Sequence, residues 1–369
     1  MELIKQVNKN GIAHPFAGVS TKYNNGMAMV SFLKNGNGNI SKEARQANGV
    51  IFENGNSNPK LLHYSFEKCY DTRDDLYTFK PGEKYDVGLY FEGSIIKLFW
   101  YKETWNVSTS RGIDAKTNFW ISEKSFFELF VECVEKSYSC NYQFFLDSLE
   151  KNSFYTFLMC HPENDNNCKD SLPMAYCLNK VTPEYDSNQD IVNLNEFLPE
   201  EDNLTVKKDI DKQELDNFLV SVDRTQNYMI FVKNGKEISR IKVLSTLSYR
   251  KSQLTGTFPD LGLGYARYLS KSTEFIEKHE YHDLFPQYVY KFEEVDRLFS
   301  ETAKEIHNFY IKKNVRKEDI EIPTKYQRTL YQLHCQYRKT KKQITISDVE
   351  EKLSSLNPWL LCELIGYKF

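Results

Sequence analysis

This sequence contains no apolar run long enough to cross a bilayer, which takes roughly 20 residues. Its opening, MELIKQVNKNG, lacks the apolar centre of a secretory signal. A chain that stays in the cytoplasm and off the membrane is expected. Net charge is also scarce: 48 basic against 51 acidic residues leave -3, so no overall basic field draws the protein onto nucleic acid. Any such binding must come from local patches. The eight cysteines, at 69, 133, 140, 160, 168, 177, 335 and 362, follow no zinc-knuckle or ribbon spacing, and neither does the grouping Cys160, His161, Cys168, Cys177. Without a secretory signal they read as reduced thiols. The HEYH stretch at His279 and His282 falls one residue short of HExxH and reads as a solvated helix face. No metal is expected. Internal repeats and low-complexity tails are absent as well.

What is present is ordinary in proportion and uneven in arrangement. With 369 residues, 40% of them hydrophobic, the chain can hold two domains with separate cores. Aromatics reach 14%, which suits core filling more than base-stacking surfaces. Asn- and Gly-rich loops at 34–39 and 54–59 separate short alternating runs at Met27–Phe32, Gly49–Glu53 and Leu61–Tyr64. Further runs follow at Gly88–Tyr90, Ile95–Tyr101 and Trp105–Thr109, with KET (102–104) as a turn. The spacing of Phe126, Phe127, Phe130, Val131 and Val134 predicts a helix within 123–150. Strands resume at 154–160, 226–232 and Ile238–Leu244, while the acidic, polar 185–217 reads as a surface insertion.

Beyond PDLGLGY (259–265), where Gly262-Leu-Gly264 reads as a linker, amphipathic helices take over. One crosses Lys304–Lys312, and a capping box from Ser347 to Glu350 opens another. A third starts at Asn357-Pro358 and stops at Gly366. The expected fold is α+β, with antiparallel sheets in a domain over 1–262 and an all-α domain over 263–369.

The most informative segment is GLYFEGSIIKLFWYKETWNVSTSRGIDA, 88–115. Gly93, Ser94, Ile96, Lys97, Leu98, Trp105 and Ser110-Arg111-Gly112 stand in it in a telling order. The segment resembles the active-site strand and hairpin of the phage-type RNA ligase 1 (tRNA-repair) family of covalent nucleotidyltransferases. Glu43-Ala-Arg45 with Gly49–Glu53, Phe66–Asp71, Ser125–Phe130, Tyr155–Phe157 with His161–Asn164, Gln226–Tyr228 and Arg240–Lys242 continue the resemblance, colinearly, over roughly 1–250. It implies an RNA ligase-like nucleotidyltransferase core and a helical C-terminal domain that gives RNA specificity. The HPEN stretch (161–164) is similar to degenerate ligase-like proteins of large DNA viruses, which implies a viral source and a place in the host cytoplasm or the virion.

The resemblance also marks what has been lost. Ligation begins when a lysine amine attacks the α-phosphate of ATP. That position is Tyr90 here, and a phenol with pKa near 10 cannot form the phosphoramidate. Glu92 stands for the motif's Asp, and Leu158 and Gln226 stand where two acids would hold metal and orient the ligand. Four altered positions together imply that ligation is gone and that no catalytic residue is left. Lys97, by strand alternation, points away from Tyr90.

The cations survive. Arg45, Lys68, Arg240 and Lys242 match positions that contact phosphates in the family, and Arg111 adds another. With Gly93 in the strand and Tyr90 and Phe91 as a stacking surface, they imply a site for a nucleotide or an RNA end. No cofactor is expected beyond ATP or another nucleotide held without a covalent bond. The competing reading pairs these cations with nearby carboxylates of a vestigial fold.

In the helical domain Arg328, Tyr331, Cys335, Arg338 and Lys342 recur at helical spacing, with Leu330, Leu333 and Tyr337 expected to pack inward. Lys312, Lys313, Arg316 and Lys317 form a second basic cluster. Either cluster alone reads as a solvated face. Beside a ligase-like core, Arg328, Tyr331, Arg338 and Lys342 imply RNA as the partner, tRNA or another structured RNA, with protein partners left open. Two further readings remain: an active ATP-dependent RNA ligase or nucleotidyltransferase with a non-standard nucleophile such as Lys97, and a scaffold in a viral or RNA-processing complex.

Overall fold

A computed structural model describes residues 2–33, 40–41, 43–55, 59–71, 79–80, 82–120, 122–164, 172–186, 191–197, 205–221, 226–234, 237–255, 260–271 and 277–368. The stretch 34–39, part of the 54–59 loop and Cys168 lie outside them. The chain forms two compact units, Met1–Ser248 and Tyr249–Phe369. This division falls earlier than the 262/263 boundary read from the sequence.

The first unit begins with α1 (Glu2–Asn10), β1 (Val19–Asn24), β2 (Met27–Phe32), β3 (Asn48–Glu53), β4 (Leu61–His63), β5 (Tyr70–Asp71), β6 (Lys84–Leu89), β7 (Ser94–Tyr101) and β8 (Thr104–Thr109). It continues through α2 (Phe126–Tyr138), α3 (Tyr142–Asp147), β9 (Phe154–Cys160), β10 (Met174–Tyr185), β11 (Ile191–Phe197), β12 (Thr205–Ile210), α4 (Lys212–Ser221), β13 (Tyr228–Asn234) and β14 (Glu237–Val243). Among the described residues three sheets result, in the orders β1-β2-β3-β4, β11-β10-β9-β7-β8 and β12-β6-β13-β14-β5. All described pairings are antiparallel except that of β14 with β5.

Local chemistry sets the hairpins. Asn25-Gly26, with φ of 49 and 77, makes the two-residue turn from β1 to β2, and Lys102-Glu103, with φ of 50 and 58, makes the same turn from β7 to β8. Every residue of β2 is buried, so its sequence MAMVSF reads as a run and not an alternation. The first two sheets pack through Met29, Ile51, Phe99, Phe154 and Val181, with Leu3, Ile4 and Val7 of α1 added. On the other face of the second sheet, Phe130 and Val134 of α2 and Phe145 of α3 pack on Ile96, Leu98 and Phe157. Leu215 of α4 packs on Tyr85, Val87, Ile230 and Ile241 of the third sheet.

Two readings of this unit need correction. The helix predicted within 123–150 is two helices, because Ser139 takes a left-handed φ of 51 after α2, which opens on a Ser125/Glu128 capping box. The stretch 185–217 is no insertion: it supplies β11 and β12, each an edge strand, and the start of α4. An edge strand needs no apolar alternation, so its polar composition hid it.

The second unit is helical. The division falls inside α5 (Thr246–Thr255), after which come α6 (Leu261–Leu269), α7 (Lys278–Leu284), α8 (Val289–Tyr310), α9 (Thr324–Thr340), α10 (Ile346–Ser354) and α11 (Pro358–Ile365). Its core joins Leu263, Tyr265, Phe292, Ile306, Tyr326, Leu333, Val349 and Leu361. Gly262-Leu-Gly264 is not a linker but the buried first turn of α6, whose free amides at Gly262 and Leu263 are capped by Asp260. The capping box of α10 uses Thr345 and Asp348, two residues before the predicted one. The helix expected over Lys304–Lys312 is the end of α8, followed by a π turn at Ile311–Val315 that holds Lys312. α11 opens on Asn357 and stops at Gly366, as expected.

Candidate functional site

β6 ends at Leu89, and Tyr90 follows with its amide still bonded to the Asn227 carbonyl at 3.0 Å. In the same sheet β14 presents Arg240 and Lys242 on one face, two residues apart. The Lys242 ammonium donates to the Tyr90 hydroxyl and lies 4.2 Å from the centre of its ring. Burial pushes the Tyr90 phenol up to about 12 against the pull of Lys242, so near neutral pH it is an uncharged acceptor. Burial opposes the Lys242 charge, but Tyr90, Cys69 and Glu92 outweigh it and hold that pKa above its ordinary value.

The segment Phe66–Asp71 joins the remaining cations to this pair. The Arg45 guanidinium donates to the carbonyls of Lys68 at 3.2 Å and Cys69 at 3.0 Å, and lies 4.0 Å over the Tyr70 ring. Tyr70 and Asp71 pair with Ile241 and Lys242. Arg240 sits 4.3 Å over Phe66 and is ion-paired with Glu196. Arg111 donates to the Phe32 carbonyl at 2.9 Å and stacks 4.3 Å over the Phe32 ring, with Lys68 5.9 Å from the same ring.

All five cations named from the sequence therefore gather in one region, but in different states. Arg45 and Arg240 are 2% and 5% exposed with their guanidinium groups engaged; Lys68 and Lys242 are half-buried; Arg111 is exposed. Glu196, which also accepts from Asn179 at 2.8 Å, is the site residue that sequence reasoning missed. It lies in the stretch taken for an insertion, and nothing periodic marks it as the partner of an arginine on β14.

Gly93 lets the strand pass close to its neighbour: a Cβ there would stand 2.5 Å from the Met159 carbonyl. Phe91, 36% exposed, stacks on Tyr176 with centroids 5.1 Å apart and planes 10° from parallel. Glu92 is half-buried within reach of Lys242's charge. Leu158 is buried against Cys160, Ile95, Tyr176 and Leu178. Gln226 is exposed and accepts from the Tyr228 hydroxyl at 3.1 Å. Of the positions 92, 158 and 226, only Glu92 carries an anion; Leu158 offers no ligand atom and Gln226 only a neutral carbonyl.

Lys97 is fully buried and donates to the carbonyls of Asn48 and Gly49, the latter at 2.6 Å. Gly49, at φ 69, is required there, since a Cβ would meet the Lys97 amine and stand 2.7 Å from the Ser110 carbonyl. Burial first, and the Arg111 charge second, lower the Lys97 pKa to about 7. Lys97 faces the first sheet with Thr156, its cross-strand neighbour, and does not meet Tyr90.

Among the described residues one cluster has the composition of a metal site: Glu132, His161 and Glu163, with ligand atoms within 4.8 Å of one another. Both nitrogens of His161 are committed, Nδ1 accepting from the Glu163 amide at 3.1 Å and Nε2 facing Glu132 at 3.1 Å. The Lys124 ammonium stands 2.9 Å from both carboxylates, where a cation would go. The cluster does not fit a metal ion.

In the second unit Arg328, Tyr331, Arg338 and Lys342 are all exposed, Tyr331 by 71%. The first three lie on α9, while Lys342 follows the left-handed Lys341 that ends it. Leu330 and Leu333 pack inward as expected. Tyr337 does not: it is 39% exposed and stacks on His334. Of the second cluster, Lys313, Arg316 and Lys317 are exposed around the π turn.

No family model matches the sequence. An "Immediate-early protein ICP-46 homolog" of Invertebrate iridescent virus 6 is 22% identical over 299 residues, 74% of this chain and 63% of that protein. Its namesake from Invertebrate iridescent virus 3 is 38% identical over 74 residues, 20% of this chain and 16% of that protein. The chain thus spans less than two-thirds of either relative. Among solved structures, two forms of an archaeal ATP-dependent RNA ligase are similar. Form 2 has a TM-score of 0.38 at 11% identity, covering 79% of this chain and 78% of that one. Form 1 has a TM-score of 0.33 at 10% identity, covering 72% and 63%. At these scores the likeness is too loose to bear on function. No helix among the described residues is long and apolar enough to cross a membrane.

Proposed function

We propose that this chain is a degenerate protein of the phage-type RNA ligase kind, from a large DNA virus, that has lost ligation and binds RNA or nucleotide phosphates without a covalent bond. The observation that carries this reading is the Tyr90–Lys242 contact. Where the resemblance calls for an amine nucleophile there is a neutral phenol, and a neighbouring cation holds it. The neutral side chains of Leu158 and Gln226 support the same conclusion. Lys97 is a poor substitute nucleophile, since its amine is enclosed and shared between two carbonyls.

The RNA, tRNA or another structured one, is contacted through its phosphates by Lys68, Arg111 and Lys242 in the first unit and by Arg328, Arg338 and Lys342 in the second. Arg45 and Arg240 add field from within. Tyr331 and Phe91 offer exposed rings for stacking. ATP or another nucleotide would use the same cations. The two viral relatives support a viral source, and the host cytoplasm or the virion is the place this reading assigns.

Incubation with α-labelled ATP or GTP and magnesium, followed by a denaturing gel, should give no labelled protein band. A band that withstands denaturation overturns inactivity, and its loss in Lys97→Ala would name the nucleophile. Tyr90→Lys alone should not restore nick sealing, because the metal-facing positions stay neutral. Filter binding to single-stranded RNA should weaken steeply as salt rises, by about 0.7 log units per neutralised phosphate for each tenfold increase. No retention at low salt would overturn RNA binding.

A further inference from the structure

The two cations of β14 each carry an acceptor supplied by the chain itself, and the two acceptors differ in strength. Arg240 is paired with the Glu196 carboxylate, with side-chain exposures of 4% and 18%. A charged, nearly dry contact of this kind resists exchange, because breaking it strands a buried guanidinium. Among the described residues Lys242 donates its hydrogen bond to the Tyr90 hydroxyl, an uncharged acceptor, with the Glu92 charge nearby, and both Lys242 and Tyr90 are half-buried. An ammonium binds a phosphate oxygen more strongly than a neutral phenol, because both partners are then charged.

We propose that Tyr90 is a displaceable internal stand-in for a ligand phosphate: it occupies the Lys242 ammonium when the site is empty, and a phosphate-bearing ligand binds by pushing it aside. The ligand class is a terminal phosphate or polyphosphate, and Arg240, kept by Glu196, does not exchange. The proposal rests on the non-covalent phosphate-binding reading above and adds to it the groups that compete for Lys242. No bond is made or broken beyond the exchange of hydrogen bonds.

Tyr90→Phe keeps the ring over the ammonium and removes the competing oxygen. The full-length variant should bind a 5′-phosphorylated oligouridylate roughly tenfold more tightly than wild type, the scale expected when a hydrogen bond to a charged group is no longer in competition. The gain should vanish in a Lys242→Ala background and should be absent for the 5′-hydroxyl oligouridylate. A second measurement needs no variant and no RNA. Nitration of Tyr90 by tetranitromethane, mapped by peptide mass spectrometry, should speed up when tripolyphosphate is added, because the displaced phenol enters solvent.

Equal RNA affinity of wild type and Tyr90→Phe, or a gain that persists without Lys242, overturns the stand-in role and leaves RNA binding intact. Faster nitration with tripolyphosphate but no RNA binding by any protein keeps the stand-in and removes the RNA reading. Nitration unchanged or slowed by tripolyphosphate overturns the stand-in directly, whether or not the variant folds.

Discussion

Cations of the same kinds sit in two regions of this protein and do different work. Around Phe66–Asp71 in the first unit, Arg45 and Arg240 are nearly dry and face acceptors of the chain itself, backbone carbonyls and Glu196. On and after α9, Arg328, Arg338 and Lys342 stand in solvent. A positive side chain that meets an internal acceptor in a dry place becomes part of the architecture, and one that meets only water stays available. The contrast separates charges that hold the fold from charges that can meet a partner, which composition treats alike.

The sharpest way to break this contrast is to remove an enclosed cation. Lys97→Met leaves the Asn48 and Gly49 carbonyls buried without their shared donor, and a loss of about 3 kcal/mol is expected in urea denaturation. The same residue predicts a pH effect. Its folded pKa is lowered to about 7 from the ordinary 10.5, so between those values the unfolded chain holds a proton that the folded one has released. Wild type should therefore gain stability from this group as pH rises from 7 to 9. Lys97→Met should lack that gain, so the gap between the two proteins should widen. A gap that stays constant over this range would show that Lys97 keeps its proton in its enclosure.

Glu196→Gln tests the next contact. It leaves the Arg240 guanidinium, barely exposed, without its carboxylate, and should cost about 2 kcal/mol by the same measurement. A neutral result would place Arg240 among the available cations. The smallest stability effect is expected on α9. Substituting Arg338 and Lys342 together with Ala should change folding stability by no more than about 0.5 kcal/mol. The same double variant should flatten the salt dependence of RNA binding by roughly one to two units. Unchanged binding with an unchanged slope would return this face to plain solvation.

Much of the framework was readable in advance. Met27–Phe32 and Phe154–Cys160 are strands end to end as predicted, the turn at KET falls where it was placed, and Asn357 and Gly366 bound the last helix. These are local effects, in which a residue's own torsional preference or its neighbour's hydrogen bond decides the outcome. The edge strands β11 and β12 were not readable, because a polar strand at a sheet edge leaves no periodic trace. Nor was the outward placement of Tyr337, which is 39% exposed and stacks on His334.

The absence of a lysine at position 90 is a fact of the sequence alone, and so is the impossibility of a phosphoramidate there: a functional group that is not in the chain cannot be supplied by folding. The presence of the cations at 45, 68, 111, 240 and 242 is equally a matter of sequence. What each of them touches was decided only in three dimensions. Tyr90 and Lys242 are separated by 152 positions, and Glu196 and Arg240 by 44. Those meetings depend on which strands pair, in which register, and on how far each side chain is withdrawn from water. A shift of one residue in β14 would turn Arg240 and Lys242 to the other face of the sheet. Composition lists the charges, whereas sheet register and burial settle which are spent on the fold and which are left for a ligand.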